Sequence, residues 1–287
     1  MNNIGFVGAG YMGYGIAKNL LKHRYNLKVI AHKNKKPIKK LKKLGAHEVF
    51  SYDELVENID CIIICVTNTI IAKVVAKKIL KNIKRKKLFI DITTHNKNGS
   101  IEMKNILSAK QIKYVECPVM GGPVQAEDGI LGGIVGASEK NFKEATKYLK
   151  AFCKKTFHFG PVGVGAKTKL ISNFLSLGTA TFVIETIKAA NYFNIDLQKL
   201  YNVAKLGSGN SGALNRVATK AIRGNYKGYI FSIDNTIKDL SYINDMLKDL
   251  PNARKLTTLS KSIYQKASNK GLGKLFISEL IKEKMSD

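Results

Sequence analysis

The stretch Gly8-Ala9-Gly10-Tyr11-Met12-Gly13 is the first in the chain whose residue types and spacing could do chemistry. A GxGxxG run that follows an apolar strand and opens a helix is a phosphate-binding turn. Gly8 permits the tight bend, Gly10 lets the backbone approach a pyrophosphate, and Gly13 lets the helix lie close to the strand. The amides and dipole at the helix start favour the phosphate charge. The run, with Ala9, Tyr11 and Met12 inside it, is therefore read as a dinucleotide site, against the plainer alternative of a strand-to-helix turn. An NAD site carries an Asp or Glu about 20 residues on, bonded to the ribose hydroxyls. Here Ala31 stands at that point, followed by His32, Lys33, Asn34, Lys35 and Lys36. The missing acid and the cations favour NADP, with NAD the alternative; a solvated helix face would also explain the lysines. Lys169 and Asn173 are a second set. Four residues apart, they share one helix face one turn apart, so an amide can hold a hydroxyl beside the amine or orient it. Alone, Lys169 would be a surface lysine, the default for so lysine-rich a chain. No His/Cys/Asp cluster has metal-ligand spacing. His23, His32, His47, His95 and His158 are scattered and expected at the surface rather than as ligands, with His95 nearest to a site.

Strands and helices alternate through the first half. Ile4 to Val7, Leu27 to Ala31, Cys61 to Val66, Leu88 to Ile92, Lys113 to Cys117, Gly129 to Gly136 and Thr156 to Phe159 read as strands. Helices are expected over Met12 to Lys22, Pro37 to Leu44, Ile70 to Ile83, Ser100 to Ala109 and Lys140 to Phe152. This alternation predicts an open parallel sheet covered on both faces, an α/β Rossmann-type doubly wound domain over residues 1–163. From Ala166 to about Asn194 runs one long helix. Further helices are expected over Gln198 to Leu206, Ala213 to Arg223, Ile233 to Asp249, Thr257 to Asn269 and Phe276 to Lys284, with no strand after Phe159. Residues 164–287 are thus an all-α domain joined through the long helix. There is no low-complexity linker and no internal repeat.

Composition limits the function classes. The 287 residues are 45% hydrophobic, which supports a buried core and excludes a disordered chain. The formal charge is +27, and only five of the 48 cations are arginine. A coding bias toward lysine explains this as readily as selection for a polyanion, and no basic stripe is interleaved with aromatics, so a nucleic-acid partner is not expected. The four cysteines show no zinc spacing and read as reduced thiols of a cytoplasmic protein. No apolar run is expected to reach the roughly 18 residues that span a bilayer. The amino terminus reads as a first strand and not as a signal peptide.

With these pieces the sequence resembles the β-hydroxyacid dehydrogenase family, which includes 3-hydroxyisobutyrate dehydrogenase, semialdehyde reductases and, more distantly, 6-phosphogluconate dehydrogenase. The resemblance spans nearly the whole chain. It begins with Gly5 to Gly13, with Ala17 and Asn19-Leu20 in the following helix. Val66-Thr67-Asn68 occupies the turn that passes the cofactor's ribose and pyrophosphate. Asp91-Ile92-Thr93-Thr94 looks like the family's Asp-x-Ser-Thr turn, which places Thr93 by the nicotinamide. Glu116-Cys117-Pro118-Val119-Met120-Gly121-Gly122 corresponds to Asp-Ala-Pro-Val-Ser-Gly-Gly, which binds the substrate carboxylate through its Ser and glycine amides. Gly121 and Gly122 match; Met120 removes the hydroxyl and implies a more apolar or differently held substrate. Gly163-x-Gly165-x-x-x-Lys169-x-x-x-Asn173 is the most specific match, and makes Lys169 the catalytic acid/base with Asn173 beside it. In Lys238-Asp239-Leu240 the resemblance turns Lys238 toward the active site as an anion-binding residue, for substrate or cofactor, with Asp239 orienting or balancing a cation. The region of Gly271-Leu272-Gly273 and Ser278 matches less well, since Lys274 and Phe276 stand where acids are common.

The resemblance implies reversible hydride transfer between NADP(H) and a small 3-hydroxy acid or its semialdehyde. Lys169 would protonate the oxygen in reduction and take the proton in oxidation, which near neutral pH requires burial or a neighbouring cation. Thr93, Gly121, Gly122 and Asn173 would position the substrate. An imine reductase is a rival within the same class of fold; its lysine is typically replaced, so Lys169 counts against it. Another rival is a non-catalytic nucleic-acid-binding protein of this fold. The family, and an apolar long helix needing cover, imply a homodimer or homotetramer.

Overall fold

Residues 2–32, 34–84 and 86–282 are described by the computed structural model. The apolar runs of the first half become strands because a sheet covered on both faces buries such residues on either side. They are β1 (Asn3–Val7), β2 (Asn26–Ile30), β3 (His47–Val49), β4 (Cys61–Ile64), β5 (Leu88–Asp91), β6 (Lys113–Glu116), β7 (Val119–Met120), β8 (Leu131–Gly136) and β9 (Cys153–Gly160). They form one sheet in the order β3-β2-β1-β4-β5-β6-β8-β7, with β9 paired to β8. The helices are α1 (Tyr11–Lys22), α2 (Lys36–Lys43), α3 (Tyr52–Val56), α4 (Thr69–Asn82), α5 (Gly99–Ser108), α6 (Pro123–Asp128) and α7 (Glu139–Leu149).

Strand β4 shows how the layers form. Cys61 and Ile63 point into a core shared with Ile16 and Leu20 of α1, Leu41 of α2 and Leu149 of α7. Ile62 and Ile64 point into the opposite core with Leu55 of α3, Ala72 and Ile79 of α4 and Leu107 of α5. The order reverses direction between β1 and β4. A ligand crevice is expected outside the carboxyl ends of strands at such a switch point.

Strands β1 to β6 are parallel. The parallel sheet takes antiparallel pairing at its far edge: β8 runs antiparallel to β6 and β7, and β9 pairs parallel to β8. Helix α6 causes the late start of β8. Its left-handed cap, Gly129 (φ 72°), occupies what reads as the strand's first residue. The short β3, α3, β7 and α6 carry too few residues to show a period.

Two compact units divide the chain, Met1–Leu170 and Ile171–Asp287, and the division falls inside α8 (Val164–Tyr192). The second unit continues with α9 (Leu197–Ala204), α10 (Gly212–Ala221), α11 (Ile233–Met246) and α12 (Pro251–Ala267), then a π turn over Ser268–Leu272 and a 3₁₀ turn over Ile277–Lys282. Helix α12 begins before Thr257 because Pro251 suits a first turn. Residues 283 and 284 of the last expected helix lie outside the described residues. The one β-pairing after Gly160 among the described residues is a single bridge, Ser232 to Phe276.

Contrary to the sequence expectation, α8 is long and apolar enough to cross a membrane, with a mean hydropathy of 1.4 over 18 residues. Of that window, 44% is buried within the chain. The helix also carries the buried polar residues Lys169, Asn173 and Thr181. These are marks of a core helix.

Candidate functional site

The first unit gathers its polar turns at the carboxyl ends of β1, β4, β5 and β6. Gly8 follows β1 with φ 104°, a conformation that suits glycine. A Cβ on Gly13 would collide with the carbonyl oxygen of Gly8, while the space around Gly10 is open. No side chain caps α1, whose N-cap is Gly10. Ala9 and Met12 are half-buried and Tyr11 is exposed. An open approach at Gly10 and a helix start without a side-chain cap fit a pyrophosphate. After β2, His32, Asn34, Lys35 and Lys36 are exposed, and no carboxylate stands in this run. Lys33 lies outside the described residues. Asn19 of α1 is buried, and its amide donates to the carbonyls of Gly15, Ala126 and Glu127, which ties α6 to α1.

The turn after β4 is joined to the turn after β5. The amide of Val66 donates to Thr93 Oγ1 at 3.3 Å. Asn68 caps α4 by accepting from the Ile71 amide at 2.9 Å, so its side chain is committed to the helix. Thr67 is exposed. Thr93 is buried, and its amide donates to Asp91 Oδ1.

After β6 comes the site's most specific geometry. Lys169 is 9% exposed, and is the one lysine among the described residues to count as buried. Its Nζ donates to the carbonyl of Val119 at 2.8 Å and lies 3.3 Å from Met120 Sδ. Lys167 is exposed, as the two-residue offset requires. Gly121 adopts φ 120°. The Gly122 amide already donates to Gln125 Oε1 at 2.8 Å, so the expected pair of glycine donors is reduced at that position.

Glu116 explains how Lys169 is held in place, and sequence reasoning gave it no such role. It is wholly buried and accepts from the amides of Gly163 (2.6 Å), Gly165 (2.9 Å) and Ala166 (3.2 Å) at the start of α8. Burial pushes its carboxyl above the ordinary glutamate value, against the opposing effect of the Ser100 hydroxyl and these three amides. A Cβ on Gly136 would collide with its carboxylate, and one on Gly165 would crowd it. The signal was the glycine spacing itself.

The second unit has its own polar cluster. Asn173 Nδ2 donates to Asp239 Oδ2 at 2.7 Å, and both residues are buried. Lys238 Nζ lies 2.9 Å from Asp239 Oδ1 and 5.5 Å from the Tyr242 ring centre. Asp239 thus orients Asn173 and balances Lys238 together. Ser278, in the weaker carboxyl-terminal match, is buried; it donates to the Tyr226 carbonyl and accepts from the Tyr229 amide.

The histidine expectation fails at His95, which is 1% exposed. Among the described residues no group of three or more His, Cys, Asp or Glu side chains is placed to hold a metal ion. All four cysteines are free.

Residues 3–160 match the family described as the NAD binding domain of 6-phosphogluconate dehydrogenase. Residues 163–283 match that described as NAD-binding of NADP-dependent 3-hydroxyisobutyrate dehydrogenase. The chain is 29% identical to the mitochondrial 3-hydroxyisobutyrate dehydrogenase of Mus musculus, over 94% of this chain and 83% of that one. A solved 3-hydroxyisobutyrate dehydrogenase from Salmonella typhimurium superposes with a TM-score of 0.89 at 25% identity, covering 98% of this chain and 99% of that one. An imine reductase from Myxococcus stipitatus in complex with NADP+ shares the fold, with a TM-score of 0.66 at 21% identity over 98% of each chain.

Proposed function

Because the chain belongs to the β-hydroxyacid dehydrogenase family of NAD(P)-dependent oxidoreductases, we propose that it interconverts a small 3-hydroxy acid and its semialdehyde. The bound nicotinamide supplies or accepts the hydride. Lys169 moves the proton: in reduction it delivers one to the carbonyl oxygen, and in oxidation it takes one from the hydroxyl. Asn173, one helical turn away and oriented by Asp239, holds that oxygen. Gly121 and Thr93 are the positioning groups for the carboxylate, and Lys238, in the second unit, is the anion-binding candidate that the family implies. Met120 offers a thioether where a hydroxyl would hold a polar substrate, which favours a less polar group next to the reacting carbon.

The carrying observation is the burial of Lys169 against the Val119 carbonyl, which separates it from the many exposed lysines. NADP is the preferred cofactor. The run after β2 has no acid to bond a ribose hydroxyl and several exposed cations to meet a 2′-phosphate. The test is the Lys169→Ala variant, assayed with NADPH and NADH against a panel of small semialdehydes. Turnover should fall by about 10²–10⁴-fold with NADPH affinity kept; unchanged turnover sinks the mechanism. A cyclic imine belongs in the same panel: its preferential reduction would favour the imine reductase reading, against which Lys169 speaks.

The chain works as a homodimer or homotetramer. Ile171, Leu175 and Phe182 form an exposed apolar stripe along α8, with exposures of 51%, 72% and 70%. Light scattering of the purified protein should give a mass above that of one chain.

A further inference from the structure

Asp91 ends β5 without any exposure to solvent, and His95 lies four residues on, equally enclosed. The carboxylate takes three donors. Oδ2 faces His95 Nε2 at 2.8 Å and accepts from the Tyr114 hydroxyl at 3.1 Å, while Oδ1 accepts from the Thr93 amide at 2.9 Å. Burial, and then the Asp91 charge, push the Tyr114 phenol up, so it remains a donor. On its other side His95 Nδ1 lies 3.2 Å from Thr69 Oγ1, and that oxygen also accepts from the Asn96 amide. With Nε2–H donating to Asp91 and Nδ1 accepting from the Thr69 hydroxyl, each polar atom of the chain has its partner. Thr69 opens α4, directly after the Val66–Asn68 turn. A Cβ on Gly99 would press on both the His95 ring and Thr69 Cγ2, so that glycine is what lets the three elements close together.

The imidazole therefore bridges two turns read as meeting the dinucleotide, beside the Val66 to Thr93, Asn96 to Thr69 and Ile92 to Ile64 bonds that also join them. We propose that His95, through Asp91 and Thr69, is a positioning residue for the bound dinucleotide: it fixes the turn after β4 against the turn after β5. The inference rests on reading these two turns as part of the NAD(P) site. The imidazole takes no part in proton transfer to substrate. Its effect is felt in how ready the two turns are for the cofactor before it arrives, which belongs to affinity and not to the chemical step.

The experiment compares the full-length wild type with Thr69→Val, His95→Leu, the double variant and His95→Gln. NADPH affinity is measured by fluorescence titration, beside kcat, KM and thermal unfolding. Thr69→Val and His95→Leu should each raise the NADPH Kd and KM by about tenfold, the worth of one hydrogen bond in a buried network. At saturating cofactor kcat should stay within about twofold. The double variant should be little worse than the poorer single one, because both break one chain of bonds. His95→Gln, which keeps a donor toward Asp91, should recover most of the affinity. Unchanged Kd with a lowered melting temperature would reduce His95 to a packing residue and overturn the proposal. Should His95→Leu fail to fold, Thr69→Val decides the matter, since it removes one hydroxyl at nearly constant volume. A wild type that binds neither NADPH nor NADH would overturn the dinucleotide reading itself, an outcome distinct from variants that bind as well as the wild type.

Discussion

Two buried carboxylates, one in each unit, are held by opposite means. In the first, Glu116 is enclosed by the amides of Gly163, Gly165 and Ala166. Glycines at 136 and 165 leave the room that Glu116 needs. In the second, Asp239 is met by side chains, those of Asn173 and Lys238. A site built on backbone donors depends on missing Cβ atoms. A site built on side-chain partners depends on the identity of each residue and tolerates change in the backbone nearby. The two units should therefore fail under different substitutions.

The largest effect is expected where the first unit has least room. In Gly13→Ala the added methyl meets the Gly8 carbonyl, and the loss should be about 4 kcal/mol or more, among the exceptional single substitutions. Urea unfolding would register it, and a loss below about 1 kcal/mol would break the comparison. Next, Asp239→Ala removes the shared acceptor of Asn173 and Lys238, and should lower stability by roughly 3 kcal/mol because the buried Asn173 amide loses its acceptor and Lys238 this carboxylate. Asp239→Asn should be milder, since an amide oxygen can still accept.

Glu116→Gln comes third, at about 1–3 kcal/mol at neutral pH, because one amide loses its acceptor. Its pH dependence is the sharper readout. Burial holds the folded carboxyl above its ordinary value, so the folded chain keeps the proton more tightly than the unfolded one. The stability from this group is complete below the unfolded value near 4.3 and declines as pH rises through the raised folded value. The unfolding free energy of the wild type minus that of the variant should fall as pH climbs from about 4 toward neutrality. The smallest effect belongs to the second unit. Nothing lies within 4 Å of a Cβ placed on Gly178 of α8, so Gly178→Ala should stabilise by about 0.4–1 kcal/mol, seen as a small rise in melting temperature.

The same division decided what could be read from the sequence. Glycine spacing announced the turn at Gly8 to Gly13 and the approach to α8, because backbone conformations that need glycine leave a residue-type signature. The spacing of Lys169 and Asn173 was legible as one turn of helix. The direction of β8 was not, since strand polarity depends on the path of the chain and leaves alternation unchanged. Nor was α6, six residues long and without a full period. His95 was assigned to the surface, although Asp91, His95 and Gly99 fall four residues apart; their meeting depends on Thr69, more than twenty residues away in sequence. Gly122 was assigned a free amide that Gln125 takes. Length and composition understated α8, whose polar residues interrupt the apolar count without interrupting the helix.

One contact bears on how a proton can be exchanged without disturbing the nitrogen that carries it. Lys169 Nζ donates to the carbonyl of Val119. A carboxylate partner attracts the net charge and resists its loss. A neutral carbonyl asks only for an N–H, and both an ammonium and an amine have one to give. This one contact therefore places no demand on the charge of the nitrogen it holds.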